Sequence, residues 1–469
     1  MKPREIEHGM IPVVTPSHMQ QIDASSDVPL DQLVDRAGAA VARAALGLLG
    51  GAYGRRVLVI CGPGNNGADG RVAAERLVER GVRCRVVDAL ELPARLPTVD
   101  LVIDAAFGTG FRGGWRFPDV GDTPVLAVDV PTGLDAGTGV VAAATPVARH
   151  TVTFQAAKPG HFLGAGPAHC GSLEVADIGL DVDAPDARVV DAAAVRRWIP
   201  QRATDAHKWR EAVRIVAGSP GMTGAAYLAT AAAQRAGASL VALSSPGVDA
   251  DHPVEAIERR VPAVDWDGTV LDDLHRFRSL VIGPGLGREE YTVASVLRCI
   301  DEAVVPIVID GDALFALSWN EDGTPARLLE REVPTVLTPH DGEYGLLTGH
   351  PPDDDRIAAA TQLVEATGAT VLLKGPVTVV ASPGEVPLIV DSGDERLATA
   401  GTGDVLAGII GALLARRVPA HRAAAAGAYV HGLAVRRCAA TGVIAGDLIE
   451  HLPAVLTDLL DDSEPAEPA

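Results

Sequence analysis

The chain is poor in lysine. Only four occur in 469 residues: Lys2, Lys158, Lys208 and Lys374. Where a plain positive charge would serve, the sequence uses arginine, so an internal lysine points to a site that wants a compact ammonium. Positive charge is scarce as a whole. Forty basic residues against 61 acidic ones leave a formal net charge of −21. Polyanions and anionic membrane surfaces need clustered cations, so neither is an expected partner. Cysteine is scarce too. Cys61, Cys84, Cys170, Cys299 and Cys438 are scattered with no CxxC pair, which argues against a disulfide framework or a structural zinc. The apolar run between Asp404 and Arg416 is shorter than the ~20 residues of a bilayer span. Residues 1–10 are polar and charged, unlike a secretory signal. The expected compartment is the cytoplasm.

What is present is core-forming material. A chain that is 47% hydrophobic and 22% charged can bury sizeable cores, and its length suits two or three domains of ~150 residues each. Leu30 to Leu49 is an Ala- and Leu-rich helix pattern closed by Gly50-Gly51. Arg56 to Cys61 reads as a strand, Gly62 to Gly70 as a glycine-rich turn, Arg71 to Arg80 as a helix and Arg83 to Asp88 as a second strand. That is one βαβ unit. Strands at 101–104 and 125–130 follow. The pattern weakens between 185 and 207, where a domain boundary is expected. It restarts with a strand at 213–217, a helix reaching Arg235, strands near 280, 306, 335 and 370, a hairpin-like stretch from Val377 to Val390 and a helix from Gly403 to Leu414. Alternating strands and helices imply α/β domains with mostly parallel sheets.

The chemistry lies in the loops. Gly62-Pro63-Gly64-Asn65-Asn66-Gly67 fits GxGxxG between a strand and a helix, and Asp88 ends the next strand. Glycines there let backbone approach phosphate, and the acid can take a ribose hydroxyl. A tight turn without ligand is the plainer reading. Asn65, Asn66 and Asp69 add polar groups that a pyrophosphate cradle does not require. Asp104 and Asp129 each open a further loop at a strand end, where α/β sheets bind ligands. Asn66, Asp104 and Thr132 offer hard oxygens with little charge, which suits a monovalent cation better than calcium. In the second half, Gly401-Thr402-Gly403-Asp404 precedes a helix. Its consecutive N–H groups form an anion hole, and Asp404 can accept a hydroxyl proton beside a bound phosphate. Gly218 to Gly224, Gly283 to Gly287, His340 and Lys374 sit in loops that point to the same mouth. His161, His169, His275 and His421 show no ligand spacing and read as structural.

Together these loops resemble two known families. The first half is similar to the NAD(P)HX epimerases, through GPGNNGADG (62–70), DAAFGTGFRGG (104–114), VDVPTGLDAGTG (128–139) and KPGH (158–161). The second half resembles the ADP-dependent NAD(P)HX dehydratases, through HK (207–208), GSPGMTGAA (218–226), GPGLG (283–287), IDGDAL (309–314), TPHDGE (338–343), LKG (373–375) and ATAGTGDVLAGIIGALLA (398–415). The resemblance implies two three-layer α/β/α domains: a Rossmann-like one over 1–200 and a ribokinase-like one over 201–460. Residues 461–469 would form an acidic disordered tail. It implies repair of hydrated nicotinamide cofactors. The first domain would interconvert R and S NAD(P)HX. The second would dehydrate the S form, converting ADP to AMP and phosphate.

Carried over, the hydrate would meet Asn65, Asn66, Gly67, Ala68 and Asp69, then Gly108, Thr109, Gly110, Phe111, Arg112, Gly113 and Gly114, and Asp129. Potassium would sit on Asn66, Asp104 and Thr132. In the dehydratase, Ala225, Gly285, His340 and Asp404 would contact the hydrate. Lys374, Gly375, Pro376, Val377, Thr378 and Gly403 would contact the adenine nucleotide, which would bring magnesium. Asp404 and Asp129 are the expected catalytic residues. A homo-oligomer is expected. Ala68 replaces the usual second Gly, Thr132 replaces Ser, Trp209 follows His207-Lys208 where Gly is common, and Asp391-Ser392 stands where Asn is expected. Two other readings stay open: a ribokinase-like kinase fused to a dinucleotide-binding regulator, and a binding protein with a silent first half.

Overall fold

The computed structural model describes residues 9–93, 95–110, 113–318 and 326–461. Phe111 and Arg112, expected at the hydrate, and residues 462–469 of the expected tail lie outside the described residues. The chain forms two compact units that part between Arg188 and Val189. The helix Ala192–Trp198 therefore belongs to the second unit, not to a first domain reaching residue 200. Ala194, Val195 and Trp198 are buried in that unit's core.

The first unit holds six parallel strands: β1 (Arg56–Cys61), β2 (Arg83–Asp88), β3 (Leu101–Ala105), β4 (Val125–Val128), β5 (His150–Phe154) and β6 (Ser172–Ala176). Their order is β2-β1-β3-β4-β5-β6. Alternation along β1 divides its side chains between two faces. Val57, Val59 and Cys61 enter a cluster with Ala37, Val41 and Ala45 of the helix Leu30–Leu49. Leu58 and Ile60 enter another with Val102 and Phe117. Chain order reverses between β1 and β3. That leaves a crevice beyond their carboxyl ends, where open α/β sheets take ligands.

The expected glycine-rich turn is shorter than the sequence suggested. The helix begins at Asn65 and runs to Glu79, so Asn65 to Gly70 form its first turns. Gly64 caps it from an extended conformation. Asp88 is exposed and accepts from the Leu90 N–H of its own turn.

The second unit contains β7 (Ala212–Val216), β8 (Leu240–Ser244), β9 (Ile257–Glu258), β10 (Ser279–Ile282), β11 (Ile307–Ile309), β12 (Thr335–Leu337), β13 (Thr370–Leu373), β14 (Thr378–Ala381) and β15 (Leu388–Val390). They run in the order β15-β14-β13-β12-β11-β10-β7-β8-β9. Pairing is parallel from β9 across to β13 and antiparallel for β13-β14-β15. The expected hairpin over 377–390 is the antiparallel pair. Strand β7 is buried at every position, as a strand covered on both faces must be. The reversal at β7 and β10 creates a second switch point.

The helix Thr402–Ala415 is buried almost all round and packs on Thr223–Arg235. A Cβ on Gly408 would lie 2.2 Å from the Ala229 carbonyl oxygen, so only glycine permits this approach. Overpacking costs about 1–3 kcal/mol. Gly408→Ala should therefore lower the unfolding free energy of this unit by that much, seen as a lower denaturant midpoint. An unchanged midpoint would mean the two helices are not held this close.

Candidate functional sites

The first site lies on the switch point of the first sheet. Gly62 follows β1, and a Cβ there would come 1.7 Å from the Ala106 carbonyl oxygen. The loops after β1 and β3 are thus in backbone contact. Asp104 ends β3 fully buried. Its carboxylate accepts from the Thr132 N–H at 2.8 Å, the Thr132 hydroxyl at 2.7 Å and the Ala106 N–H at 3.3 Å. Burial pushes the Asp104 pKa up to about 6 against these hydrogen bonds. The Thr132 hydroxyl also reaches the Phe107 carbonyl at 3.0 Å. Thr132 in place of serine keeps that hydroxyl. Asn66 lies against Gly108 in the loop after β3, with both side-chain polar atoms buried and unpartnered among the described residues.

Asp129 follows β4 in the left-handed region, at φ 65°, a conformation that costs a non-glycine residue about 1–3 kcal/mol. Its surroundings hold it there. Asp129 Oδ1 accepts from Lys158 Nζ at 2.7 Å and from the Thr153 hydroxyl at 2.8 Å. Lys158 Nζ also donates to Thr153 Oγ1 at 2.8 Å and to the Ala156 carbonyl at 3.2 Å, so its three protons are all engaged. Burial opposes the Asp129 charge, but Lys158, His161 and Thr153 together outweigh it and hold the carboxyl below its ordinary range. His161 Nδ1 accepts from the Lys158 N–H, and Nε2 donates to the Asp129 carbonyl at 2.9 Å. Burial and Lys158 keep this imidazole neutral, with its pKa at about 4. His161, unremarkable in sequence, therefore braces the site.

Two of the expected hydrate contacts, Gly108 and Asn66, lie close to Asp129. A Cβ on Gly108 would sit 3.3 Å from Asp129 Oδ2 and 3.4 Å from Asn66 Cγ, so Gly108, Asn66 and Asp129 share one point. Asp69 is buried on the same helix, and burial pushes its carboxyl up to about 8. Gly67 is buried, Ala68 and Thr109 half-buried, and Asn65, Gly110, Gly113 and Gly114 exposed.

The second site lies where β7, β10, β11, β12 and β13 end. The Gly218 N–H donates to the Pro284 carbonyl at 2.8 Å, and the Ser219 hydroxyl donates to the Gly285 carbonyl at 2.9 Å. Gly285 is left-handed at φ 59°, and a Cβ there would meet Ala225 Cβ at 2.9 Å. Ala225 and Gly285 are thus neighbours. His340 caps the helix Asp341–Thr348. Its Nδ1 accepts from the Gly342 and Glu343 N–H groups, while Glu343 Oε2 accepts from the His340 N–H.

Lys374 is the hub. Its Nζ lies 2.9 Å from Asp310 Oδ1 and 3.6 Å from Glu343 Oε2. Asp310 is also held by the Thr338 hydroxyl at 2.7 Å. Burial works against the Lys374 ammonium, but Asp310 and Glu343 raise its pKa. The Lys374 N–H donates to the Pro339 carbonyl, and Arg356 Nη2 donates to the Lys374 carbonyl at 2.7 Å. Gly375 packs on that guanidinium, Val377 is buried and Thr378 opens β14. A Cβ on Gly403 would come 3.5 Å from Lys374 Nζ, so the start of the helix Thr402–Ala415 lies beside the ammonium. Asp404 sits in the first turn of that helix. Burial, then Asp310, push its carboxyl up to about 7. Asp310 and Glu343 lie in the matched stretches 309–314 and 338–343 but were given no role from sequence. Their signal was an acid at or just past a strand end.

Some matched residues contribute little here. Lys208 is exposed. Trp209 stacks edge-on against Phe277 under the Arg276 guanidinium. The Ser392 hydroxyl donates to the Tyr429 carbonyl instead of lining the mouth. No helix among the described residues is long and apolar enough to cross a membrane.

Comparison with known proteins follows the same division. The NAD(P)H-hydrate dehydratase profile matches residues 213–457, and the profile described as YjeF-related protein N-terminus matches 30–95 and 86–160. A bifunctional NAD(P)H-hydrate repair enzyme from Moorella thermoacetica is 35% identical, with 96% of this chain and 98% of that protein covered. The same-named protein of Mycobacterium tuberculosis is 38% identical over 83% of this chain and 87% of its own. A ribokinase-like superfamily protein from Enterococcus faecalis superposes with a TM-score of 0.52 at 24% identity, covering 60% of this chain and 98% of that one.

Removing Lys158 would strand a buried carboxylate. Breaking a buried ion pair from one side costs about 3–5 kcal/mol. Lys158→Met should lose that much stability at pH 7, measured by urea unfolding. In the native protein Asp129 has a depressed pKa, so its contribution is present at neutral pH and fades as pH falls through that value. The gap between the two proteins should therefore narrow in acid. A gap that stays constant down to pH 3 would contradict this account.

Proposed function

The chain belongs to the family of bifunctional NAD(P)H-hydrate repair enzymes, and from that premise we propose that its two sites work in sequence. The first interconverts the R and S hydrates of NADH and NADPH. The second dehydrates the S hydrate, using ADP and releasing AMP and phosphate. The observation that carries the reading is the pairing, in one chain, of the Asp129–Lys158 cradle with the Asp404–Lys374 anion hole.

In the second site the difficulty is the leaving group, since hydroxide departs poorly. Asp404 accepts the proton of the C6 hydroxyl as its oxygen attacks the terminal phosphoryl group of ADP. The oxygen–phosphorus bond forms, AMP leaves, and the N–H groups around Gly403 with the Lys374 ammonium stabilise the transferred charge. The C6–O bond then breaks with its electron pair on phosphate, driven by the ring nitrogen. Loss of a C5 proton restores the dihydronicotinamide. Ala225, Gly285 and His340 line the hydrate side. Lys374, Gly375, Pro376, Val377 and Thr378 line the nucleotide side. Magnesium, bound with the nucleotide, would neutralise phosphate charge.

In the first site Asn65 to Asp69, Gly108 to Gly110, Gly113, Gly114 and Asp129 would form the hydrate cradle. The unpartnered Asn66 amide and the dry Asp104 carboxylate fit a weakly held monovalent cation. Potassium would rest on Asn66, Asp104 and Thr132 and supply positive charge beside the hydrate. The same reading has the enzyme working in the cytoplasm as a homo-oligomer.

Separate variants test separate sites. Asp404→Ala should reduce dehydration by at least 10²-fold, as loss of a positioned base does, and leave epimerisation intact. Asp129→Ala should do the reverse. Because Asp404 must be ionised to act, wild-type dehydration should rise with pH through about 7. Loss of both activities in either folded variant would contradict the independence of the sites.

A further inference from the structure

Epimerisation at a carbinolamine carbon needs two proton movements. One proton must reach the departing hydroxyl, and one must leave the water that returns. Asp129 can serve only the second, because Lys158 and Thr153 hold it as an acceptor. Its Oδ2 is the oxygen turned toward Gly108 and Asn66.

The complement lies on the neighbouring helix. Asp69 stands three residues after Asn66 in Asn65–Glu79, and residues at that spacing share a helix face. Asp69 is 6% exposed. Its carboxyl has no hydrogen-bond or ion-pair partner among the described residues, unlike the carboxylates of Asp104, Asp129 and Asp310. The charged groups that act on it are Asp129 from the loop after β4 and Asp23 from the helix Pro16–Ser25. Lys158 from the loop after β5 is spent on Asp129, Thr153 and Ala156. The helix Leu30–Leu49 meets the Asp69 backbone at Gly38. Its charges there are directed elsewhere: Asp35 to Arg76 and Arg36 to the Ile178 carbonyl. No cationic side chain acts on it among the described residues, and a buried carboxyl beside anionic side chains keeps its proton.

We propose that Asp69 is the proton donor of the first site, and this rests on the epimerase reading. The Asp69 carboxyl gives its proton to the C6 hydroxyl of the hydrate. The C6–O bond breaks with its electron pair on the departing water, and the ring nitrogen lone pair forms an N=C6 bond. Water adds from the opposite face, its oxygen bonding to C6, and its released proton passes to Asp129 Oδ2. Exchange with solvent returns a proton to Asp69. Two carboxyls with opposite surroundings thus divide acid and base work.

The test follows purified (R)-NADHX to the S form by chromatography, without ADP, so that dehydration is silent. Wild-type epimerisation should decline on an alkaline limb near pH 8, where Asp69 loses its proton. Asp69→Asn keeps the shape but cannot donate as an acid. It should lose at least 10²-fold in kcat, the usual worth of a general acid, with KM within about threefold and the limb abolished. A kcat within threefold of wild type would overturn the proposal. So would a raised KM with the limb unchanged, since Asp69 would then only hold the hydrate. Absence of the limb from wild type overturns it without any variant. A wild-type protein with no epimerase activity would instead sink the epimerase reading itself.

Discussion

Both sites are organised around a buried lysine–aspartate contact at the ends of parallel strands. Lys158 meets Asp129 at 2.7 Å, and Lys374 meets Asp310 at 2.9 Å. A buried charge is costly unless paired and hydrogen-bonded, so each pair obliges its neighbours to satisfy it. Around Lys158 that obligation fixes Thr153, the Ala156 carbonyl and, through its backbone, His161. Around Lys374 it fixes Asp310, Thr338 and Glu343, and Glu343 in turn caps the His340 helix. The loops are held by these networks more than by their own glycines. The strained backbone of Asp129 persists because the cradle over-determines it.

The two halves solve opposite electrostatic problems. The first must keep one carboxylate ionised in a dry crevice, which Lys158 does. On the proposed reading, the second must gather negative charge from a nucleotide while retaining a base. There the acids surround Lys374, and Asp404 titrates near neutrality. A phosphoryl acceptor site benefits from a base poised at working pH. The sugar-kinase reading would account for this half alone and would leave the Asp129 cradle without a task.

Much of the architecture was legible because βα punctuation is local. Gly50, Gly81 and the loop glycines after β1, β7 and β10 mark element ends whatever the tertiary context. Gly62 to Gly70 misled, because glycine and asparagine weaken a helix without forbidding it. There the helix start is fixed by packing: Gly67 and Gly70 press on Gly62 and Ala105. Composition gave a boundary over 185–207, and the two compact units part between Arg188 and Val189, which leaves Trp198 in the second core. Among site residues, Asp104, Asp129, Lys374 and Asp404 announce themselves by position or rarity. Asp310, Thr153 and His161 do not, since they act through partners far away in sequence.

The most direct measurement supplies a mixture of R and S NADHX to the full chain, with magnesium, potassium and ADP, and follows absorbance of the reduced nicotinamide together with free phosphate. The account predicts recovery of all the NADH, with one phosphate released for each NADH regained. Recovery that stops at the S fraction would contradict an active first site. A stable phosphoester without NADH would contradict the dehydratase itself.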